Sequence, residues 1–144
     1  MDFDLRSLVG GRQFLVSTEL GRNGSFIQTS AHIDGGANIF GAIKTSLAYK
    51  LCKLFGISFL KLPKPIVPTG YNGEPGEPIT LALLLTLTID RRQINFPFLV
   101  TNLGGNDVLI GRKFLEHYNL KLDFKKGCNS ILWPKDMPII PYFG

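Results

Sequence analysis

The sequence predicts a small all-β domain, and three observations carry that expectation. Ile79, Leu81, Leu83, Leu85, Leu87 and Ile89 fall on one face of a period-2 pattern, with Thr80, Ala82, Thr86 and Thr88 largely opposite, as in a long half-buried strand. After a turn at Asp90-Arg-Arg-Gln93, Ile94, Phe96, Phe98 and Val100 alternate again, so the two segments pair as a hairpin. The composition agrees, since 11 Phe, 9 Pro and 16 Gly among 144 residues favour strands joined by turns. Hydrophobic residues at 44% and charged residues at 19% exclude disorder over most of the chain, and the length suits one domain spanning 1–144.

The remaining elements follow in order. Residues 1–12 show no clear periodicity. Gln13 to Glu19 and Phe26 to Ile33 read as two strands around Asn23-Gly24, a hairpin signal because both residues accept positive φ. The second strand runs into Asp34-Gly-Gly, which places Asp34 at a strand end on backbone that can approach another chain closely. Between Thr45 and Phe55, Leu47, Leu51, Leu54 and Phe55 recur at helical spacing, and Gly56 is placed to end the helix. Residues 58–67, interrupted by Pro63 and Pro65 and followed by Pro68 and the turn-rich 69–76, read as a loop or hairpin tip outside the core. Pro97 suggests an edge or bulge position in its strand. Asp107 to Gly111 reads as a buried strand and Arg112 to Tyr118 as a short helix ended by Asn119. Lys121 to Phe124 and Ser130 to Trp133 read as two short strands.

The net charge of +5 raises nucleic acid as a partner, because clustered Lys and Arg neutralise phosphates. The basic residues fall instead in pairs, Arg91-Arg92, Arg112-Lys113 and Lys125-Lys126, with no interleaved aromatics to stack bases, so no specific nucleic-acid partner is expected. Cys52 and Cys128 are too few for the disulfide framework of a small secreted domain, which points to a reducing, intracellular setting. No apolar run reaches the roughly 18–20 residues that cross a membrane, and Met1-Asp-Phe-Asp-Leu-Arg6 is not a signal peptide, so no membrane association is expected. His32 and His117 have no Cys or carboxylate at ligand spacing, Ser25, Ser30 and Ser46 lack a nucleophile-elbow context, and Gly70 to Gly76 lacks the Lys-Ser/Thr of a phosphate loop. His32 reads as a strand residue and His117 as a helix-surface residue. No metal and no cofactor are expected.

What remains for chemistry is a pair of segments. Asp34-Gly35 alone reads as a turn dipeptide. Its neighbours change that reading, because the apolar strand of Ala31-His-Ile-Asp-Gly-Gly-Ala37 is matched later in the chain by Val108-Leu-Ile-Gly-Arg112 leading into a helix. Together the two segments resemble the retropepsin family, the aspartic proteases of retroviruses and long-terminal-repeat retrotransposons. In that family an apolar-apolar-Asp-Ser/Thr-Gly-Ala loop supplies the catalytic Asp and an apolar-apolar-Gly strand leads into the C-terminal helix. The resemblance covers about residues 14–133. Asn102-Leu-Gly-Gly-Asn-Asp-Val108 and His117-Tyr-Asn-Leu-Lys-Leu-Asp-Phe124 bring it closest to Ty3/gypsy-type elements.

The resemblance implies a small closed β-barrel with one or two short helices, working as a two-fold symmetric homodimer. Asp34 would be the catalytic carboxylate, with Gly35, Gly36 and Ala37 forming its loop. Gly70, Tyr71, Asn72 and Gly73 would belong to a flap over an extended peptide, while Ile39, Val108 and Ile110 line side-chain pockets. Asn38, Gly111 and Arg112 would support the loop. The implied activity is cleavage of a Gag-Pol polyprotein in the cytoplasm or a virus-like particle. The chemistry explains the symmetry, because two carboxylates about 3 Å apart cannot both ionise and so share the proton that acid–base hydrolysis needs. Two departures stand out. Gly35 replaces the Ser or Thr whose hydroxyl bonds across the dimer axis, and Asn38 replaces an Asp that pairs with the Arg at position 112. The first keeps a second reading in view: a protease-like dimerisation or peptide-binding module with little or no catalysis.

Overall fold

The structure, a computed structural model, describes residues 13–68, 73–124 and 129–139. Its strands are β1 (Leu15–Arg22), β2 (Ser25–Asp34), β3 (Gly41–Lys44), β4 (Leu60–Ile66), β5 (Ile79–Ile89), β6 (Arg92–Thr101), β7 (Val108–Gly111), β8 (Lys121–Asp123) and β9 (Ser130–Leu132). The helices are α1 (Thr45–Phe55) and α2 (Arg112–His117). The large sheet has the order β1-β2-β7-β3-β6-β5-β4, and β1 pairs with β5 as well. That last pairing, Leu20 opposite Leu87 at its centre, closes six strands into a barrel and leaves β4 outside it on the free side of β5. The strands β8 and β9 form a separate antiparallel pair.

Closure follows from the alternation. The odd residues of β5 from Leu83 to Ile89 are buried, as are Ile94, Phe96, Phe98 and Val100 of β6. They enclose one core with Leu20, Ile33, Ile43, Val108, Ile110 and Phe114. Each such side chain contributes about 1.5–3 kcal/mol when taken from water. The helix α1 lays Ala48, Leu51 and Phe55 on this core. Leu54, expected on the same face, is 59% exposed. It lies about 90° around the helix from the centre of that stripe, and Ala48 takes the place assigned to it.

Residues 60–66 correct the expectation of a loop. They form a strand, but at the edge of the sheet, so the missing N–H groups of Pro63 and Pro65 leave no gap between two neighbours. The register slips between Lys61 and Ile66, where those prolines sit. Pro97 lies opposite Leu84 in a part of β6 that has no second neighbour among the described residues, because pairing with β3 begins only at Leu99.

The β1–β2 turn carries φ of 52° at Asn23 and 80° at Gly24, the two-residue turn whose twist matches its strands. Asn23 also anchors the helix. Gly56 and Ile57 donate their N–H groups to the Cys52 carbonyl at the end of α1, and Asn23 Nδ2 donates to the Phe55 carbonyl at 2.9 Å. Asn23→Ala should therefore destabilise the fold by about 2 kcal/mol, combining a lost hydrogen bond with the cost of Ala at positive φ. Asn23→Gly, which keeps the turn, should cost about half as much. Urea denaturation of the three proteins checks this, and equal losses in both variants would leave the side-chain bond without the role described.

Candidate active site

The strands β2 and β7 run parallel, with Asp34 opposite Gly111 at their shared end. On its other side β7 pairs with β3. The chain therefore leaves β2 at Asp34, crosses the end of β7 through residues 35–40 and returns as β3. At the crossing Gly111 N donates to Phe40 O at 3.0 Å, Arg112 N to Ala37 O at 2.8 Å and Lys113 N to Ile39 O at 3.2 Å. The first N–H groups of a helix have no partners within it. In α2 those of Arg112 and Lys113 are satisfied by carbonyls of the loop.

Gly111 makes the contact possible. A Cβ there would fall inside the carbonyl oxygen of Ile39 and 2.8 Å from that of Ala37. Phe40 pins the far end of the loop, its ring edge-on to Phe96 at 4.7 Å and Phe114 at 5.1 Å between centroids. Sequence reasoning passes over Phe40, because one aromatic after a Gly-rich turn has no periodicity to mark it.

The carboxylate of Asp34 is half-buried and accepts the Gly36 N–H at 2.9 Å on Oδ1, while Ala37 N donates to the Asp34 carbonyl at 3.2 Å. Gly35 and Gly36 are exposed. The φ of Gly35 lies outside the left-handed region, and a Cβ there would meet only Leu115 Cδ1, at 4.0 Å. Its backbone thus makes no demand for glycine, and among the described residues no group fills the place of a side chain.

The expected lining of the site needs correction. Val108 and Ile110 are fully buried and point into the barrel with their partners Ala31 and Ile33. The alternation of β7 puts Leu109 on the opposite face, half-buried and in register with His32. That face is the one on which Asp34 lies. Ile39 is half-buried, with its carbonyl bound to α2.

Support for the loop also takes a different route from the one expected. Asn38 is exposed, and the Arg112 guanidinium meets Glu116 one turn along its own helix, Nε to Oε1 at 3.5 Å. Arg112 holds the loop through its backbone N–H instead. Of the flap residues, Gly70, Tyr71 and Asn72 lie outside the described residues, and Gly73 is exposed with φ of 80°. Ile66 and Val67, at the foot of that segment, are 41% and 52% exposed.

No family model matches this chain, and no curated protein matches it. Solved structures do. The retroviral protease-like domain of Ddi1 from Leishmania major is 18% identical with a TM-score of 0.54, covering 91% of this chain and 96% of its own. The EIAV protease complexed with the inhibitor HBY-793 is 18% identical with a TM-score of 0.49, covering 78% of this chain and 94% of its own. The fold is retropepsin-like: a closed six-stranded barrel, mostly strand, with two short helices among the described residues.

The two glycines flanking the site should respond in opposite ways. Gly111→Ala should cost about 3 kcal/mol or more, since neither carbonyl oxygen can retreat without breaking its bond to α2. Gly35→Ser should leave stability unchanged or raise it by up to about 1 kcal/mol, through the restricted unfolded chain. Thermal unfolding of both variants measures this, and a Gly111→Ala protein as stable as the parent would contradict the crossing described.

Proposed function

We propose that the chain is one half of a homodimeric aspartic endopeptidase of the Ty3/gypsy retrotransposon or retroviral type, which processes a Gag-Pol polyprotein. The observation that carries this reading is a half-buried carboxylate on a loop locked at both ends, with exposed glycines beside it. The loop from Asp34 to Phe40 contains no second acid. Amide hydrolysis by acid and base together needs two carboxylates, and a second copy of the chain brings the other across a two-fold axis.

In that dimer one Asp34 takes a proton from water as its oxygen attacks the peptide carbonyl carbon, and the other gives its proton to the carbonyl oxygen. Collapse of the tetrahedral intermediate then breaks the C–N bond, with a proton passing to the leaving amine. The substrate lies extended, held by backbone hydrogen bonds as an added strand and covered by the flap around residues 70–76. Exposed Ile66 and Val67 supply apolar surface at the base of that lid.

A second reading rests on Gly35. Without a hydroxyl there, the loop lacks the donor that would grip a partner loop, which favours a protease-like module that dimerises or binds peptides with little catalysis. Cleavage of a polyprotein junction peptide by the parent protein decides between them.

The Asp34→Asn variant should keep its fold while the rate of cleavage falls by about 10²–10⁴-fold, the usual contribution of a positioned acid or base. A purified variant that cleaves at the parental rate would remove Asp34 from the mechanism. Gly35→Ser should tighten self-association by about tenfold, because a buried hydrogen bond worth about 0.5–1.5 kcal/mol is made twice by symmetry. Sedimentation equilibrium measures it, and weaker association of the Ser variant would show that the two loops do not meet as described.

A further inference from the structure

Two residues before Asp34, the strand β2 carries His32. Ala31 and Ile33 are buried in the barrel, so His32 and Asp34 lie together on the other face, about 7 Å apart along the strand. In register with His32 are Leu15 of β1, 44% exposed, and Leu109 of β7, half-buried. The row beside the carboxylate is therefore a histidine between two leucines. Such a surface takes one substrate side chain, mostly apolar in its contacts and with a single polar group to meet it.

The polar group has a defined direction. His32 Nδ1 is buried and has no hydrogen-bond partner among the described residues. In the form of the ring that carries its hydrogen on Nε2, the buried Nδ1 is a bare acceptor and no buried N–H goes without a partner, and in that form Nε2 donates. Because Nδ1 has no exposure while the residue is only half-buried, the edge that His32 presents is the one bearing Nε2.

We infer that His32 is a specificity-determining residue that selects substrates with an uncharged amide side chain, Asn or Gln, beside the scissile bond. The inference rests on the reading of Asp34 as the peptide-cleaving carboxylate. Nε2–H donates to the amide oxygen of the substrate, and Leu15 and Leu109 pack against its methylenes. A substrate carboxylate would offer the same oxygen, but the acidic centre at Asp34 one side chain away disfavours a second negative charge. An aliphatic side chain would fill the space and leave Nε2–H without an acceptor once water is excluded.

The test uses the full chain and a library of extended peptides randomised around a central bond, followed by matched peptides that differ only in Asn, Gln, Asp or Leu beside the bond cleaved. The parent protein should cleave the Asn or Gln peptide with kcat/KM about three- to tenfold above the Leu peptide, the range expected of one hydrogen bond. His32→Leu should reverse that order. His32→Gln, whose amide nitrogen reaches the place of Nε2, should retain it, and His32→Asn, whose amide reaches only as far as Nδ1, should lose it. The same preference in the parent and in His32→Leu, or a parent that favours Leu, would overturn the inference. Should no peptide be cleaved, the catalytic reading of Asp34 fails, and fluorescence anisotropy with the same matched peptides then decides the role of His32. Tighter binding of the Asn or Gln peptide that disappears in His32→Leu supports it, and equal binding of all four overturns it.

Discussion

The carbonyl oxygens of Ala37 and Ile39 close over the Cα of Gly111, and the position of each group around Asp34 depends on that contact. Two strands flank β7, and the chain that joins them must pass over its end. It can do so closely only where β7 ends without a side chain. The same three residues, Gly111 to Lys113, turn their N–H groups toward the passing loop, so the start of α2 is satisfied by the loop as the loop is held by the helix. Neither part forms its bonds without the other. The proposed proton transfer needs the carboxylate held to within about half an ångström, and the backbone hydrogen bonds at this crossing supply such support.

Within one loop the two ends behave differently. From Ala37 to Phe40 the backbone is engaged by β7 and α2, and the Phe40 ring is wedged among Phe96 and Phe114. At Gly35 and Gly36 it is exposed, with the Gly36 N–H committed to the Asp34 carboxylate. A rigid base with a bare rim is suited to approach by another chain. The same bareness leaves open space at Gly35 where a hydroxyl would fit. The loop thus presents its acid on a bare rim, and in the proposed dimer the grip on the partner would come from other surfaces.

Closure of the barrel explains where the remaining surface lies. Pairing of β1 with β5 removes both edges of a six-stranded sheet, so among the described residues β4 is left as the exposed edge. Its two prolines and its slipped register make it a poor template for an unwanted strand. It also leads directly into the segment that the proposed function uses as a lid.

Much of this was legible in the sequence because it is local. Period-2 alternation determined β5 and β6, since a closed barrel buries one side of each strand and wets the other. Asn23-Gly24 determined the first turn, Gly56 the end of α1, and the pairing of an Asp-Gly-Gly segment with a Val-Leu-Ile-Gly segment pointed to the fold. Tertiary structure decided which face of each strand belongs to the site. Val108, Leu109 and Ile110 are all apolar, and apolarity alone does not say which way a four-residue strand is turned. Register with Ala31, His32 and Ile33 does, because residues paired across parallel strands share a face. Register arises between segments that lie far apart in the chain, so Leu109 was invisible as a neighbour of His32 and Asp34, as was the role of Phe40, whose partners lie on other elements. The prolines of β4 show the same division: by composition they read as loop, and only the absence of a neighbour on one side let that segment remain a strand.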